Sequence, residues 1–192
     1  MKKFNIVMLG APGSGKGTQA QLMAQEFGLQ HISTGELFRK QIASKSALGL
    51  EAQSYIDKGN LCPDSLTINM LYDYLTHFES AKGFILDGVP RTIQQAEMLD
   101  GVGMSESLNV DLVINLNVPE DEIIRRMLER AKLQGRSDDT PEIIEKRIHN
   151  YFTLTRPLEN YYQKKSILSQ VNGMGTIEEI FEEIKKLIEN KL

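Results

Sequence analysis

The chain has 192 residues, 41% hydrophobic and 25% charged, with a net charge of −4 and a single cysteine, Cys62. That composition supplies a core for one domain of ordinary soluble type, and its acidic balance disfavours a general binder of nucleic acid or of an anionic membrane. One thiol can neither close an internal disulfide nor furnish a Cys-rich zinc site.

Taken in chain order, the first apolar run is FNIVML at 4–9, which reads as a buried strand. It is about six residues long, too short for a signal peptide or a membrane span, so the cytoplasm is the expected compartment. GAPGSGKGTQ follows at 10–19, and Leu22, Met23 and Phe27 then recur at helical spacing. His31 sits in an apolar, strand-like stretch and is expected to be a satisfied packing residue. Residues 33–62 are helical in pattern with no strand signal. FILD at 84–87 and LVINLNV at 112–118 read as further strands. Ile123, Ile124, Met127, Leu128 and Ala131 make a helical stripe, and the polar segment ERAKLQGRSDDT at 129–140 reads as a loop. A last strand is expected at 167–171. The stripe Ile177, Ile180, Phe181, Ile184, Leu187 and Ile188 follows, opened by a possible capping box of Thr176 with Glu179. This alternation predicts an α/β fold with a parallel sheet covered on both faces. Residues 33–62 and 129–140 interrupt the alternation and are candidates for flaps over the strand ends.

The glycine-rich stretch nearly matches the phosphate-binding pattern G-x-x-x-x-G-K-[ST]: Gly10, Gly15 and Lys16 fit, but Gly17 replaces the hydroxyl residue and Thr18 comes one place late. Gly13, Gly15 and Gly17 leave room for backbone N–H groups to converge on phosphate oxygens. The following helix adds its positive end, and Lys16 adds a full charge. Alone, a lysine in a glycine-rich turn is a solvated surface charge; between a strand and a helix it reads as a phosphate ligand. With no hydroxyl at position 17 a magnesium ion needs another anchor. Asp87, at the end of FILD, is the candidate, acting through water. The competing reading of Asp87 is an ordinary turn aspartate.

These stretches, with STGELFR, KGNLCP, DGVPRTIQQ and a late GRSDD in the same order, resemble the adenylate kinases from Lys3 to about Gly175. Members of that family carry the same GKGT variation. The resemblance implies a five-stranded parallel sheet in a three-layer α/β/α kinase core, with a nucleoside-monophosphate-binding flap at 33–62 and a short lid at 129–139. It implies reversible transfer of a phosphoryl group from MgATP to AMP, giving two ADP. Gly13, Ser14, Gly15, Lys16, Gly17 and Thr18 would hold the ATP phosphates, with Arg130, and Gly175 would present backbone to the ATP adenine. Thr34, Arg39, Asn60, Leu61 and Cys62 would line the AMP site, together with Gly88, Val89, Pro90, Arg91 and Gln95. Arg91 would hold the AMP phosphate, Gln95 would bond the adenine edge, and Arg136 and Arg147 would grip phosphates. Lys16, Arg91, Arg130, Arg136 and Arg147 are thus the implied catalytic set. Asp138 and Asp139 match paired lid aspartates. Val89 departs from the family's aromatic, which implies altered packing more than lost activity, and Cys62 reads as a packing residue. The short lid has no cysteine, so no structural zinc is expected. A monomer is expected. Arg125 and Arg126 find no match and are read as solvated helix charges.

No general base is required, because the AMP phosphate is already an anionic nucleophile. Alignment and charge compensation suffice. Three other readings compete: a UMP/CMP kinase of the same fold, against which TIQQ speaks; a silent nucleotide-binding switch, which would not need a second phosphate clamp; and a structural α/β domain.

Overall fold

A computed structural model describes residues 3–101, 108–134 and 140–191. Among these, five strands form one all-parallel sheet: β1 (Ile6–Gly10), β2 (Gln30–Ser33), β3 (Phe84–Asp87), β4 (Leu112–Asn117) and β5 (Leu168–Asn172), in the order β2-β3-β1-β4-β5. β1 is central and every residue in it is buried, as expected of a parallel strand covered on both faces. Its register sets Met8 opposite Asp87 and Gly10 opposite Leu116. The C-terminal ends of these strands therefore lie side by side.

Alternate side chains of the sheet enter two cores. Ile6, Met8, Ile85 and Ile114 pack against Met23 of α1 (Lys16–Phe27) and against Ile180, Ile184 and Ile188 of α9 (Ile177–Glu189). Each such isoleucine contributes roughly 1.5–3 kcal/mol on burial. Val7, Leu9, Leu86 and Val113 pack on the other face, against α4 (Asp64–Leu75), α5 (Ile93–Leu99) and α8 (Leu158–Lys164). The layers are thus α/β/α. The expected capping box of Thr176 and Glu179 opens α9.

The four apolar runs of the sequence are strands, each within two residues of its expected ends. β2 completes the sheet on the edge beside β3. Between β2 and α4 lie α2 (Thr34–Ala43) and α3 (Ala47–Ile56), which pack on each other. One expectation is corrected. Residues 129–134 are not loop, because α6 runs Glu120–Gln134. Glu, Arg, Ala, Lys, Leu and Gln are good helix formers, and their polarity reflects exposure rather than lack of helix. α6 and α7 (Pro141–Asn150) enclose a third small core of Ala11, Ile123, Met127, Ile144 and Ile148, which seats them on the glycine loop. A π-helical segment, Tyr151–Thr155, connects α7 toward α8. Among the described residues, no helix is long and apolar enough to cross a membrane.

Candidate active site

A cavity of about 530 Å³ opens at the C-terminal ends of β1, β2 and β3, between the glycine loop, α2 and the α6–α7 pair. The loop reaches it through backbone shapes that favour glycine: Gly13 has φ 83° and Gly15 has φ 98°. A Cβ on Gly13 would also stand 2.8 Å from Met127 Cγ. Gly15 immediately precedes α1, so the N-terminal N–H groups of that helix face the same space. Gly13, Gly15, Gly17 and Thr18 line the cavity, while Ser14 is buried behind it. Lys16 folds back over its loop, donating to the carbonyls of Gly10 at 2.7 Å and Ala11 at 2.8 Å, and to Ser14 Oγ at 3.4 Å. Burial pushes its ammonium down to about 8, against the opposing pull of Asp87, and Arg91, Arg147 and Arg130 lower it further.

Asp87 ends β3 at the cavity floor. Burial alone would raise its carboxyl, but His31, Lys16 and Arg91 outweigh that and hold it below the usual carboxylate range. His31 Nε2 stands 3.7 Å from Asp87 Oδ2, an electrostatic contact too long for a hydrogen bond, and it is buried with no hydrogen-bond partner. The expectation of a satisfied packing histidine is therefore corrected: His31 lies beneath the site carboxylate. Gly17 leaves the space above that carboxylate open, since a Cβ there would stand 3.4 Å from Oδ2. Among the described residues, no three acidic, histidine or cysteine side chains gather to hold a metal. One carboxylate beside a phosphate-binding loop nevertheless fits Mg²⁺, which keeps its waters and takes remaining ligands from phosphates.

On the opposite wall, Thr34 and Arg39 of α2 line the cavity, with Asn60, Leu61 and Cys62 following α3. Burial pushes the Cys62 thiol up to about 11, so it stays protonated and unreactive. Gly88, Pro90, Arg91 and Gln95 line the adjoining side, whereas Val89 points into the core with no exposure. Arg91 is braced by its own turn and by the π segment: its Nε donates to the Gly88 carbonyl at 2.9 Å, and the Thr155 hydroxyl donates to its carbonyl at 2.9 Å.

Arg130 of α6 and Arg147 of α7 complete the cationic wall. Gly175 is not part of the cavity lining; it lies beside Glu179 at the start of α9. Arg136, Asp138 and Asp139 fall outside the described residues. Arg126 corrects another expectation. Arg125 is indeed an exposed helix charge paired with Glu122 and Glu129. Arg126 instead turns into the cavity, donating to Glu122 Oε1 at 2.7 Å, to the Gly173 carbonyl at 3.0 Å and to the Ser14 carbonyl at 3.4 Å. It ties the glycine loop to the turn after β5. Its spacing of four from Arg130 placed both on one helix face, a signal available in the sequence.

Lys16, Arg39, Arg91, Arg126, Arg130 and Arg147 thus surround one cavity that opens over a glycine loop and a helix N-terminus. Such an array selects polyphosphate, and with this parallel sheet it defines a P-loop nucleotide kinase. The family model for adenylate kinase matches residues 8–167. An adenylate kinase of Parabacteroides distasonis is 47% identical over 187 residues, covering 97% of this chain and 98% of the relative. One of Leptospira biflexa is 43% identical over 183 residues, covering 95% and 98%. One of Bacteroides fragilis is 43% identical over 186 residues, covering 97% and 98%. The chain belongs to the adenylate kinase family.

Proposed function

We propose that the chain transfers the γ-phosphoryl group of MgATP to AMP, reversibly, giving two ADP. The observation that carries this reading is the number of cationic side chains that separate elements bring to one cavity. Lys16 follows the glycine loop, Arg130 lies on α6, Arg147 on α7 and Arg39 on α2, and Arg91 follows β3. A protein that binds a single nucleotide has little use for so many.

In this reading ATP lies along Gly13–Thr18 and leaves Lys16 to reach its outer phosphates. AMP lies between Thr34, Arg39, the backbone at 60–62 and Gln95, its phosphate held by Arg91. Arg147, with Arg136 of the lid at 129–139, bridges the two phosphate groups. ATP brings about four negative charges and AMP nearly two, so mutual repulsion is the main obstacle. Lys16 and the arginines Arg39, Arg91, Arg130, Arg136 and Arg147 offset it, and their planar forks orient oxygens bidentately. An AMP phosphate oxygen attacks the γ phosphorus in line as the bond to the β-phosphate oxygen breaks, and no side chain moves a proton. Asp87 would hold Mg²⁺ through water, and the ion would supply further charge neutralisation on the phosphates. The flap and lid exclude water, the competing acceptor. The protein works as a cytoplasmic monomer, which gel filtration with light scattering checks for oligomeric state.

Product analysis tests the activity. Protein with MgATP and, in separate reactions, AMP, UMP, CMP, GMP or no acceptor is resolved by chromatography, beside Lys16→Met and Arg91→Ala. ADP formed at two per ATP with AMP alone, and lost in both variants, is the expected result. Preference for UMP or CMP would move the acceptor assignment, and ATP binding without transfer would overturn the enzyme.

A further inference from the structure

Gln95 lines the cavity although only 2% of it is exposed. Its side-chain amide is held at both ends. The main-chain N–H of Arg91 donates to Oε1 at 2.7 Å, and Nε2 donates to Asp64 Oδ1 at 2.8 Å. The orientation follows from chemistry: a backbone N–H only donates and a carboxylate accepts, so the oxygen must face Arg91 and the nitrogen Asp64. Asp64 is fixed in turn. The Thr92 hydroxyl donates to the same Oδ1 at 3.0 Å and accepts the main-chain N–H of Gln95 at 3.1 Å. A carboxamide carries two N–H donors and two oxygen lone pairs. One donor and one acceptor therefore remain for a ligand, in an order that cannot be exchanged without breaking the network.

We propose that Asp64 sets the base specificity of the monophosphate site by fixing the polarity of the Gln95 amide, so that a 6-amino purine is accepted and a 6-oxo purine is rejected. Adenine offers a donor at its 6-amino group and an acceptor at N1. Hypoxanthine offers the reverse, an acceptor at O6 and a donor at N1. An amide free to turn over would serve either edge; a fixed amide serves one and opposes the other at both positions. The inference rests on the AMP reading above, which states which edge it meets. Asp64 does not line the cavity and acts through Gln95 as a positioning residue. Its first-turn place in α4 anchors the base end of the site to the core.

The test compares kcat/KM for IMP and for AMP at saturating MgATP in the wild type and in Asp64→Asn, Asp64→Ala and Asp64→Glu. An asparagine can turn its own amide to meet either face of Gln95, so only the Arg91 N–H still opposes the reversed orientation. The IMP-to-AMP ratio is expected to rise about tenfold in Asp64→Asn, the scale of one mismatched buried hydrogen bond relieved. Asp64→Ala should show a smaller rise, and Asp64→Glu, which keeps a carboxylate, should stay near the wild-type ratio. The loss with AMP should appear in KM rather than kcat. Folded Asn and Ala variants with an unchanged ratio, or equal losses on AMP and IMP, would overturn the inference. A second measurement needs no variant. The ribose monophosphate of unsubstituted purine loses one bond to the fixed amide, whereas IMP meets two mismatches. It should therefore compete with AMP better than IMP does in the wild type, and the opposite order also overturns the inference. A wild type that ignores AMP defeats the acceptor reading and this inference together. A wild type that uses AMP with the wrong ratio or order defeats this inference alone.

Discussion

The backbone of Gly17 faces the carboxylate of Asp87, and a methyl group on Gly17 would stand 3.4 Å from Oδ2. That is an ordinary contact, so Gly17→Ala should fold. Alanine is the better helix former, and position 17 lies in the first turn of α1. The methyl would nevertheless fill space that a hydrated cation needs beside Asp87. The expected outcome is a thermal midpoint equal to or above wild type, with kcat on MgATP down roughly tenfold, or about 1.4 kcal/mol. Thermal melts and initial rates across a MgCl₂ titration check this. Wild-type rates in the variant would show that Gly17 is not needed to clear the carboxylate.

Lys16 gives the site a pH dependence. Its ammonium is held down to about 8, chiefly by burial, and a bound polyphosphate would raise it again. Below about pH 8 it is protonated with or without ATP, and affinity should be flat. Above that, binding must take up a proton, so MgATP affinity should fall by up to about tenfold per pH unit. The same shift acts on folding in the opposite sense. A lysine depressed from 10.5 binds its proton more tightly in the unfolded chain, so its contribution to stability rises with pH between about 8 and 10.5. Titration calorimetry of MgATP in two buffers of different ionisation heat, near about pH 9, should detect proton uptake that Lys16→Met abolishes. Uptake persisting in the variant would assign it to another group.

How much of this was legible in the sequence depends on the length scale of the signal. β1, the glycine loop and the start of α1 are contiguous, so Gly13, Gly15 and Lys16 declared themselves by spacing, and the face-sharing repeat of Ile180, Ile184 and Ile188 did the same for α9. The edge strand β2 is polar, QHIS, and was legible only as strand-like. Arg126 is marked in the sequence only by its spacing of four from Arg130; its bonds to the Gly173 and Ser14 carbonyls need the fold. The sequence around His31 does not show its place in the site, because its neighbour, Asp87, is brought beside it by strand pairing across 56 positions, Ser33 opposite Asp87 in register. The Asp64–Gln95 link likewise joins the first turn of α4 to α5. Local patterns carry elements and loops; contacts between strands and between helices need the fold.

Gly49 shows how tightly α2 and α3 approach. A Cβ there would stand 2.1 Å from the Gln41 carbonyl oxygen and 2.7 Å from the Ile42 nitrogen, both backbone atoms that cannot rotate away. The contact is reinforced by Ser46, whose hydroxyl accepts the Gly49 N–H at 3.0 Å and donates to Gln41 Oε1 at 2.6 Å. Gly49→Ala must therefore push α3 off α2, at a cost of about 1–3 kcal/mol. α2 carries Thr34 and Arg39, while Lys16 and Arg130 lie on separate elements. The loss should accordingly fall on KM for AMP, several-fold upward, with KM for MgATP close to wild type. Because the strain is confined to the α2–α3 pair, amide exchange should quicken at residues 34–56 ahead of the sheet. If KM for both substrates rises together, or the sheet exchanges as fast as these two helices, the α2–α3 pair does not behave as a separate unit and its link to the AMP side alone fails.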